Sequence, residues 1–170
     1  TLGFSPRLSG GPRTNAVHAL DVARAALFVL KNGEDGEIYN VANDDVLPFS
    51  EFFNVAAEEY GMNVLPFPTV FIPPRTIMQK VLPIASRPEL FQMLNLGTGL
   101  LWKRLKKKFG LTDDLTPKID KEMMGYAVRD SVFDAAKLSA VGFEYTFNTY
   151  RSAIRDVLDW YVKEKWIPPC

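Results

Sequence analysis

Six prolines between positions 66 and 88 set the strongest limit on what this chain can fold into. Pro66, Pro68, Pro73, Pro74, Pro83 and Pro88 each lack a backbone N–H and hold φ at about −65°, so no long regular helix crosses the stretch. A short helix from Pro74 to Leu82 is the most that this spacing allows. Helical patterning resumes at Pro88. Before Pro66 the apolar residues alternate in places and follow helical spacing in others.

Several elements can be read from that patterning. Thr1–Arg13 reads as a connection. Ala16–Leu20 is short and apolar, as a strand end would be. Asp21 is placed to cap a helix whose face is Val22, Ala25, Ala26 and Val29, and Asn32-Gly33 stops it. Glu37–Ala42 reads as a strand, followed by the turn Asn43-Asp44-Asp45. Ser50 begins a second helix with Phe53, Ala56, Ala57 and Tyr60 as its buried stripe, and Gly61 ends it. Val64–Pro68 reads as a short extended piece.

From Pro88 onward, Leu90, Phe91, Leu94, Leu101, Trp102 and Leu105 share a broad face that Gly97-Thr98-Gly99 interrupts. Lys103–Lys108 closes it with basic charge, favourable at a helix C-terminus. Thr116-Pro117 opens a helix to about Met124. Ser131–Phe133 is a short strand. Asp134 caps Ala135–Ala140, Gly142 ends that helix, and a last helix runs from about Thr149 to Lys165 over Tyr150, Ile154, Val157, Leu158 and Tyr161. The pattern is α/β, mostly helical with a few short strands, and too sparse in strands to build a large central sheet on its own.

Composition removes several function classes. Twenty basic and twenty acidic side chains balance to a net charge of zero, which gives no electrostatic footprint for nucleic acid. The single cysteine, Cys170, forms no internal disulfide and no thiolate cluster, which fits a reducing, cytoplasmic setting. No apolar run reaches the roughly 20 residues of a bilayer-crossing helix. The start at Thr1 within a connection-like segment leads to the expectation of a fragment.

The chemistry-bearing residues are few. His18 is the sole histidine and lacks neighbours for a metal site, so a structural role is expected. Tyr161 and Lys165 have Tyr-x-x-x-Lys spacing, which on a helix places both on one face, where the cation depresses the tyrosine pKa. A terminal helix offers no water-excluded pocket, so Tyr161 is read as apolar stripe instead. Gly97-Thr98-Gly99 and Gly10-Gly11 lack the remainder of a dinucleotide fingerprint. Asp44-Asp45, Glu58-Glu59 and Asp113-Asp114 are sequence neighbours that point apart, and are read as solvated. Segment 90–108 joins apolar side chains to five basic ones; it is read as a core helix with a solvated end, the alternative being contact with a membrane surface.

Together the residues carry more. Val17-His18-Ala19-Leu20-Asp21-Val22-Ala23-Arg24-Ala25 resembles the V-H-x-x-D-V-A-x-A signature of extended short-chain dehydrogenase/reductases, the NAD-dependent epimerase/dehydratase superfamily. Gly36-Glu37-Ile38-Tyr39-Asn40-Val41 resembles that family's G-x-x-Y-N-V strand. Asp134-Ala135-Ala136-Lys137, with Gly142-Phe143 after it, resembles its D-x-x-K-x-x-x-x-G-F/W/Y element. The terminal helix with Asp159-Trp160-Tyr161 also matches. Order and spacing cover most of the chain.

The resemblance implies the carboxy-terminal part of a Rossmann-type enzyme. Residues 1–62 would be the edge of the sheet and its helices, and 63–170 a mainly helical substrate-binding lobe. The amino-terminal domain that holds NAD or NADP, and the catalytic tyrosine and lysine, would precede Val17 and be missing here. No catalytic residue and no bound cofactor are therefore expected of this chain alone. Arg13, Thr14 and Asn15 are the expected substrate-binding residues.

The apolar stretch 64–105 looks like the cap of 3β-hydroxysteroid or dihydroflavonol-type members, with Leu65, Phe67, Val70, Phe71, Ile72, Met78, Phe91 and Met93 around a sterol-like secondary alcohol or ketone. A nucleotide-sugar epimerase or dehydratase is the alternative. Its phosphate-binding arginine would lie four residues before His18, where Thr14 stands beside Arg13. Expected partners are a small-molecule substrate, the missing amino-terminal domain and a second copy in a homodimer, with no nucleic acid and at most weak membrane contact through 90–108. A non-enzymatic helical interaction module is the reading from another class.

Overall fold

The computed structural model describes residues 3–72, 77, 88–112, 115 and 129–169. The side chains of Ile72, residues 88–91 and Leu94 lie outside that description. Of the helix expected at 74–82 only Ile77 is described; the helix expected at 116–124, Met78 and Asp113-Asp114 fall outside the description.

The amino-terminal connection is a strand. β1 (Phe4–Gly10) pairs in parallel with β4 (Asn63–Ile72), a longer strand than the short extended piece expected at 64–68. Phe4–Pro6 match Asn63–Leu65, and Leu8–Gly10 match Val70–Ile72, with a shift of register between Pro6 and Leu8. The skipped residues include Pro66 and Pro68, which bring no N–H to a ladder. Leu8 is held from elsewhere: its N–H donates to Asn54 Oδ1 at 2.9 Å, and its carbonyl accepts from Asn54 Nδ2 at 2.9 Å. The expected boundary at residue 62 passes between these two paired strands.

A second sheet of two short strands, β2 (Arg13–Thr14) and β3 (Leu47–Pro48), is antiparallel. Thr14 also bridges in parallel to Ser131, the one ladder contact among the described residues within the strand expected at 131–133.

α1 (Ala19–Asn32) starts at His18, whose Nδ1 accepts from Leu20 N–H at 3.2 Å. Asp21 is not the cap expected from its position. It lies inside the first turn, fully buried, and binds elsewhere in the chain. Gly33 stops α1 as expected, its N–H returning to Val29 O at 2.8 Å.

Residues 37–42 form no ladder among the described residues. Side chains fix them instead: Asn40 Nδ2 donates to Asp134 O, Lys137 Nζ to Ile38 O, and Ala42 N–H to the Tyr145 hydroxyl. A strand-like pattern needs a strand beside it, and the described chain supplies none.

α2 (Phe49–Glu59) buries Ser50, Asn54 and Val55 and turns Phe53 outward, so its buried stripe is more polar than the expected one. Asn54 is inside because β1 needs its amide. Gly61 ends α2 at positive φ, with Met62 N–H returning to Ala57 O and Gly61 N–H to Glu58 O. Between α2 and the carboxy-terminal helix, Tyr150 packs on Phe52 with ring centroids 4.4 Å apart.

α3 (Pro88–Phe109) runs for 22 residues without a break. Gly97 and Gly99 sit within it, so two glycines did not suffice to interrupt it, each costing only about 1 kcal/mol against alanine. α4 (Ala136–Ala140) begins where Asp134 Oδ1 accepts from Ala136 N–H at 2.9 Å, and Gly142 closes it. α5 (Tyr150–Lys163) opens with a reciprocal cap between Thr149 and Ser152. The core between α1 and α4 is Ala25, Leu138 and Phe143, with Phe28, Val29, Tyr39, Val41, Val141 and Tyr145 against it.

α5 closes with a lysine in the left-handed region. Lys165 has φ 58°, its N–H bonds Val162 O at 3.0 Å, and Trp166 N–H bonds Tyr161 O at 2.8 Å. A side chain there carries a steric penalty that glycine avoids. Lys165→Gly is expected to raise the unfolding free energy by about 0.5–1 kcal/mol, read as a higher urea midpoint at unchanged slope. A lower midpoint would show that the lysine side chain, not the turn, governs this end.

Candidate functional site

Arg13, Thr14 and Asn15 lie together where β2, the 43–46 turn and the 130–133 segment meet. Thr14 Oγ1 donates to Ser131 O at 2.8 Å. Asn15 works in three directions: its Nδ2 donates to Asn43 O at 2.9 Å and Phe133 O at 2.8 Å, and its Oδ1 accepts from Phe133 N–H at 3.1 Å. Two of the three side chains thus spend their polar atoms tying backbones together. Arg13 differs. Its backbone N–H donates to Asp130 Oδ1 at 2.7 Å, and among the described residues its guanidinium makes a single bond, to Val46 O at 3.2 Å, while the side chain is exposed. Most of its donor fork faces outward.

Asn43, directly behind Asn15, is the residue that sequence reasoning missed. It is 3% exposed, and among the described residues neither its Oδ1 nor its Nδ2 has a partner. A buried amide left unpaired costs about 1–3 kcal/mol, so such a group marks a place where a further polar partner belongs. In sequence it reads as a turn residue at the end of the element that resembles the G-x-x-Y-N-V strand.

The other candidates are accounted for by packing. His18 Nε2 lies 3.3 Å from Asp156 Oδ2, and its ring sits 4.0 Å from that of Phe147. Asp45 Oδ2 accepts from Tyr150 N–H at 2.7 Å, at the start of α5. Glu58 and Glu59 pair with Arg151, and Glu59 also with Arg155 at 2.6 Å. The Arg155 hydrogen bond holds the Glu59 carboxyl below its usual range despite burial, with Arg151 adding to it.

Tyr161 and Lys165 do not share a helical face. α5 ends at Lys163, Lys165 lies beyond it in the left-handed turn, and Tyr161 stacks on Trp166 at 5.4 Å. Burial pushes the hydroxyl pKa of Tyr145 and of Tyr150 upward, so neither is primed as a base.

Of the apolar residues expected around a substrate, β4 leaves Leu65, Val70, Phe71 and Phe67, the last 83% exposed, open to solvent. Met93 on α3 is 73% exposed. An open cavity of about 480 Å³ lies between α1 and the 33–41 segment, lined by Val22, Ala26, Val29, Tyr39 and the carboxylates Glu34, Asp35 and Glu37. Among the described residues no lysine or arginine lines it. That donor set does not fit the diphosphate of NAD or NADP, which needs helix N-termini or cations. Nor does Gly10-Gly11 help, since both adopt positive φ on the way from β1 to β2 rather than opening a helix. Among the described residues, no three of His, Cys, Asp and Glu cluster as metal ligands would, and no helix is long and apolar enough to cross a membrane.

No protein-family model matches the chain, and no curated protein matches it. Solved structures do. The mixed α/β architecture recurs within a longer chain. A protein whose structure is reported as "Crystal structure of gox2253" superposes with a TM-score of 0.55 at 17% identity, over 95% of this chain and 41% of its own. This chain thus spans about two fifths of that one's length. At this identity the likeness speaks for the fold alone.

Proposed function

We propose that this chain is the substrate-binding portion of an NAD(P)-dependent extended short-chain dehydrogenase/reductase that acts on an apolar, sterol-like secondary alcohol or ketone. One observation carries the reading: the separate motifs of the resemblance interlock in space. Asp21 of the first receives the N–H groups of Thr146 and Phe147, just beyond the third. Lys137 of the third pairs with Glu37 of the second and stands over the Tyr39 ring at 4.8 Å. Asn40 bonds the Asp134 carbonyl at 2.9 Å, and Leu138 packs with Ala25 and Phe143.

In the intact enzyme a nicotinamide cofactor, held by residues outside this chain, would supply or accept the hydride exchanged with the substrate. This chain contributes shape, orientation and exclusion of water. The exposed apolar side chains of β4 supply the contact area. The nucleotide-sugar alternative rests on the outward-facing Arg13 fork, which suits a phosphate.

The test begins with the coding sequence upstream of Thr1. At least about 150 further residues containing a strand, a glycine-rich turn and a helix are expected there. With that longer protein, steroid alcohols are expected to turn over while UDP-sugars do not. Arg13→Ala is expected to change kcat/KM less than about threefold for an apolar substrate, whose affinity does not come from an ion pair. A loss beyond about thirtyfold, specific to phosphate-bearing substrates, would replace this reading with the alternative. Turnover of NADH or NADPH by residues 1–170 alone would overturn both.

A further inference from the structure

We propose that α3 docks on an anionic bilayer surface, its apolar turns entering the boundary between headgroups and acyl chains while its basic turns meet lipid phosphates. Soluble helices turn apolar residues inward and charged ones outward. α3 does not follow that rule. Met93, Leu96, Leu100 and Leu101 are all exposed. Met93, Leu96, Gly97, Leu100 and Arg104 stand at i, i+3, i+4, i+7 and i+11, so they share one side of the helix. The opposite side, with Trp102, Leu105 and Phe109, is the half-buried one.

Along the outward side the character changes from apolar to basic. After Leu101 come Lys103, Arg104, Lys107 and Lys108, all exposed. No aspartate or glutamate occurs between Leu90 and Thr112, although the whole chain is neutral. A bilayer presents this same order, hydrocarbon and then phosphate, to a helix entering obliquely. From Met93 to Leu101 the helix rises about 12 Å, comparable to the 5–10 Å depth of an interfacial helix once tilted. The lysine stems add apolar length and carry their ammonium groups up to the phosphates.

The helix is anchored at its exit. Leu111 is buried, Thr112 N–H bonds Lys165 O at 3.0 Å, and Thr112 Oγ1 donates to Glu164 O at 2.8 Å. Because no described helix can span a bilayer, the contact is superficial and reversible.

Flotation of the protein with vesicles tests this. Vesicles of phosphatidylcholine alone are compared with vesicles containing about 30% phosphatidylserine, each at about 50 mM and about 500 mM salt. Partition into the anionic vesicles is expected to exceed that into neutral ones by about tenfold, and to fall by a similar factor at high salt. Lys103→Glu with Lys107→Glu, and separately Met93→Ser with Leu100→Ser, are each expected to cut partition by about tenfold while circular dichroism stays unchanged. Absence of partition, equal partition into both vesicle types, or indifference to both double variants would overturn the proposal. Concentration-dependent dimerisation abolished by Met93→Ser, without lipid binding, would overturn it too and assign the face to a second copy.

Discussion

Asp21→Ala is expected to lower the unfolding free energy by about 2–4 kcal/mol, because two hydrogen bonds from part-buried backbone N–H groups to a charged acceptor are lost, each contributing about 1–2 kcal/mol. Asp21 is 0% exposed and accepts from Thr146 N–H at Oδ1 and Phe147 N–H at Oδ2, both at 2.9 Å. Arg24 completes the carboxylate's shell at 2.8 Å and also bonds the Thr146 hydroxyl. Burial alone would raise the pKa of this carboxyl. The Phe147 and Thr146 N–H groups and Arg24 outweigh it, and the net direction is down from the ordinary 3.8.

The sign of the pH dependence follows. A carboxylate whose pKa is lower folded than unfolded stabilises fully above the ordinary value and loses that contribution as pH falls through the folded one. Urea midpoints measured from about pH 7 down to about pH 2 should therefore show wild type losing more stability on the acid limb than Asp21→Ala. Parallel acid limbs would mean that the carboxylate carries no folded-state advantage. Asp21→Asn keeps an oxygen for one N–H and should fall between the two.

Leu138→Ala is expected to cost about 2–5 kcal/mol, the range for emptying a fully enclosed aliphatic site. Leu138 is 0% exposed, and Ala25, also enclosed, and Phe143 pack with it. α4 has only five residues and cannot persist by its own propensity, so this one side chain fixes it to α1. The urea midpoint should drop with the slope unchanged. A reduced slope would indicate that α4 and the segment after it loosen before the rest. Because Lys137 next to Leu138 reaches Glu37 and the Ile38 carbonyl, loss of α4 should also free the 37–42 segment, visible as faster amide exchange there.

Helices were legible in the sequence wherever apolar spacing and terminators agreed. α1 stops at Asn32-Gly33, α2 ends at Gly61, α4 at Gly142, and α5 begins at Thr149 as its hydroxyl predicts. What escaped was whatever depends on a distant partner. β1 looked like a connection because Pro6, Gly10 and Gly11 dominate it, and only β4 makes it a strand. Asn54 faces inward against hydrophobic patterning because Leu8 needs its amide. Asp21 sits where a cap belongs, but His18 had already taken that task, leaving the carboxylate for residues 146–147. Residues 37–42 err the other way, carrying a strand pattern without a ladder among the described residues. At the candidate site, Arg13, Thr14 and Asn15 do come together, but the unpaired amide of Asn43 had no signal in the sequence, since burial is not a local property.

The pairing of Asn54 with Leu8 has a bearing on aggregation. A strand whose outer N–H and C=O groups are open is a template for copies of itself, and chains with such borders grow into fibres edge to edge. In β1 the amide of Asn54, on α2, already occupies both groups of Leu8 on that border. One side chain thereby denies an incoming strand both pairing groups of Leu8, where the register shift falls.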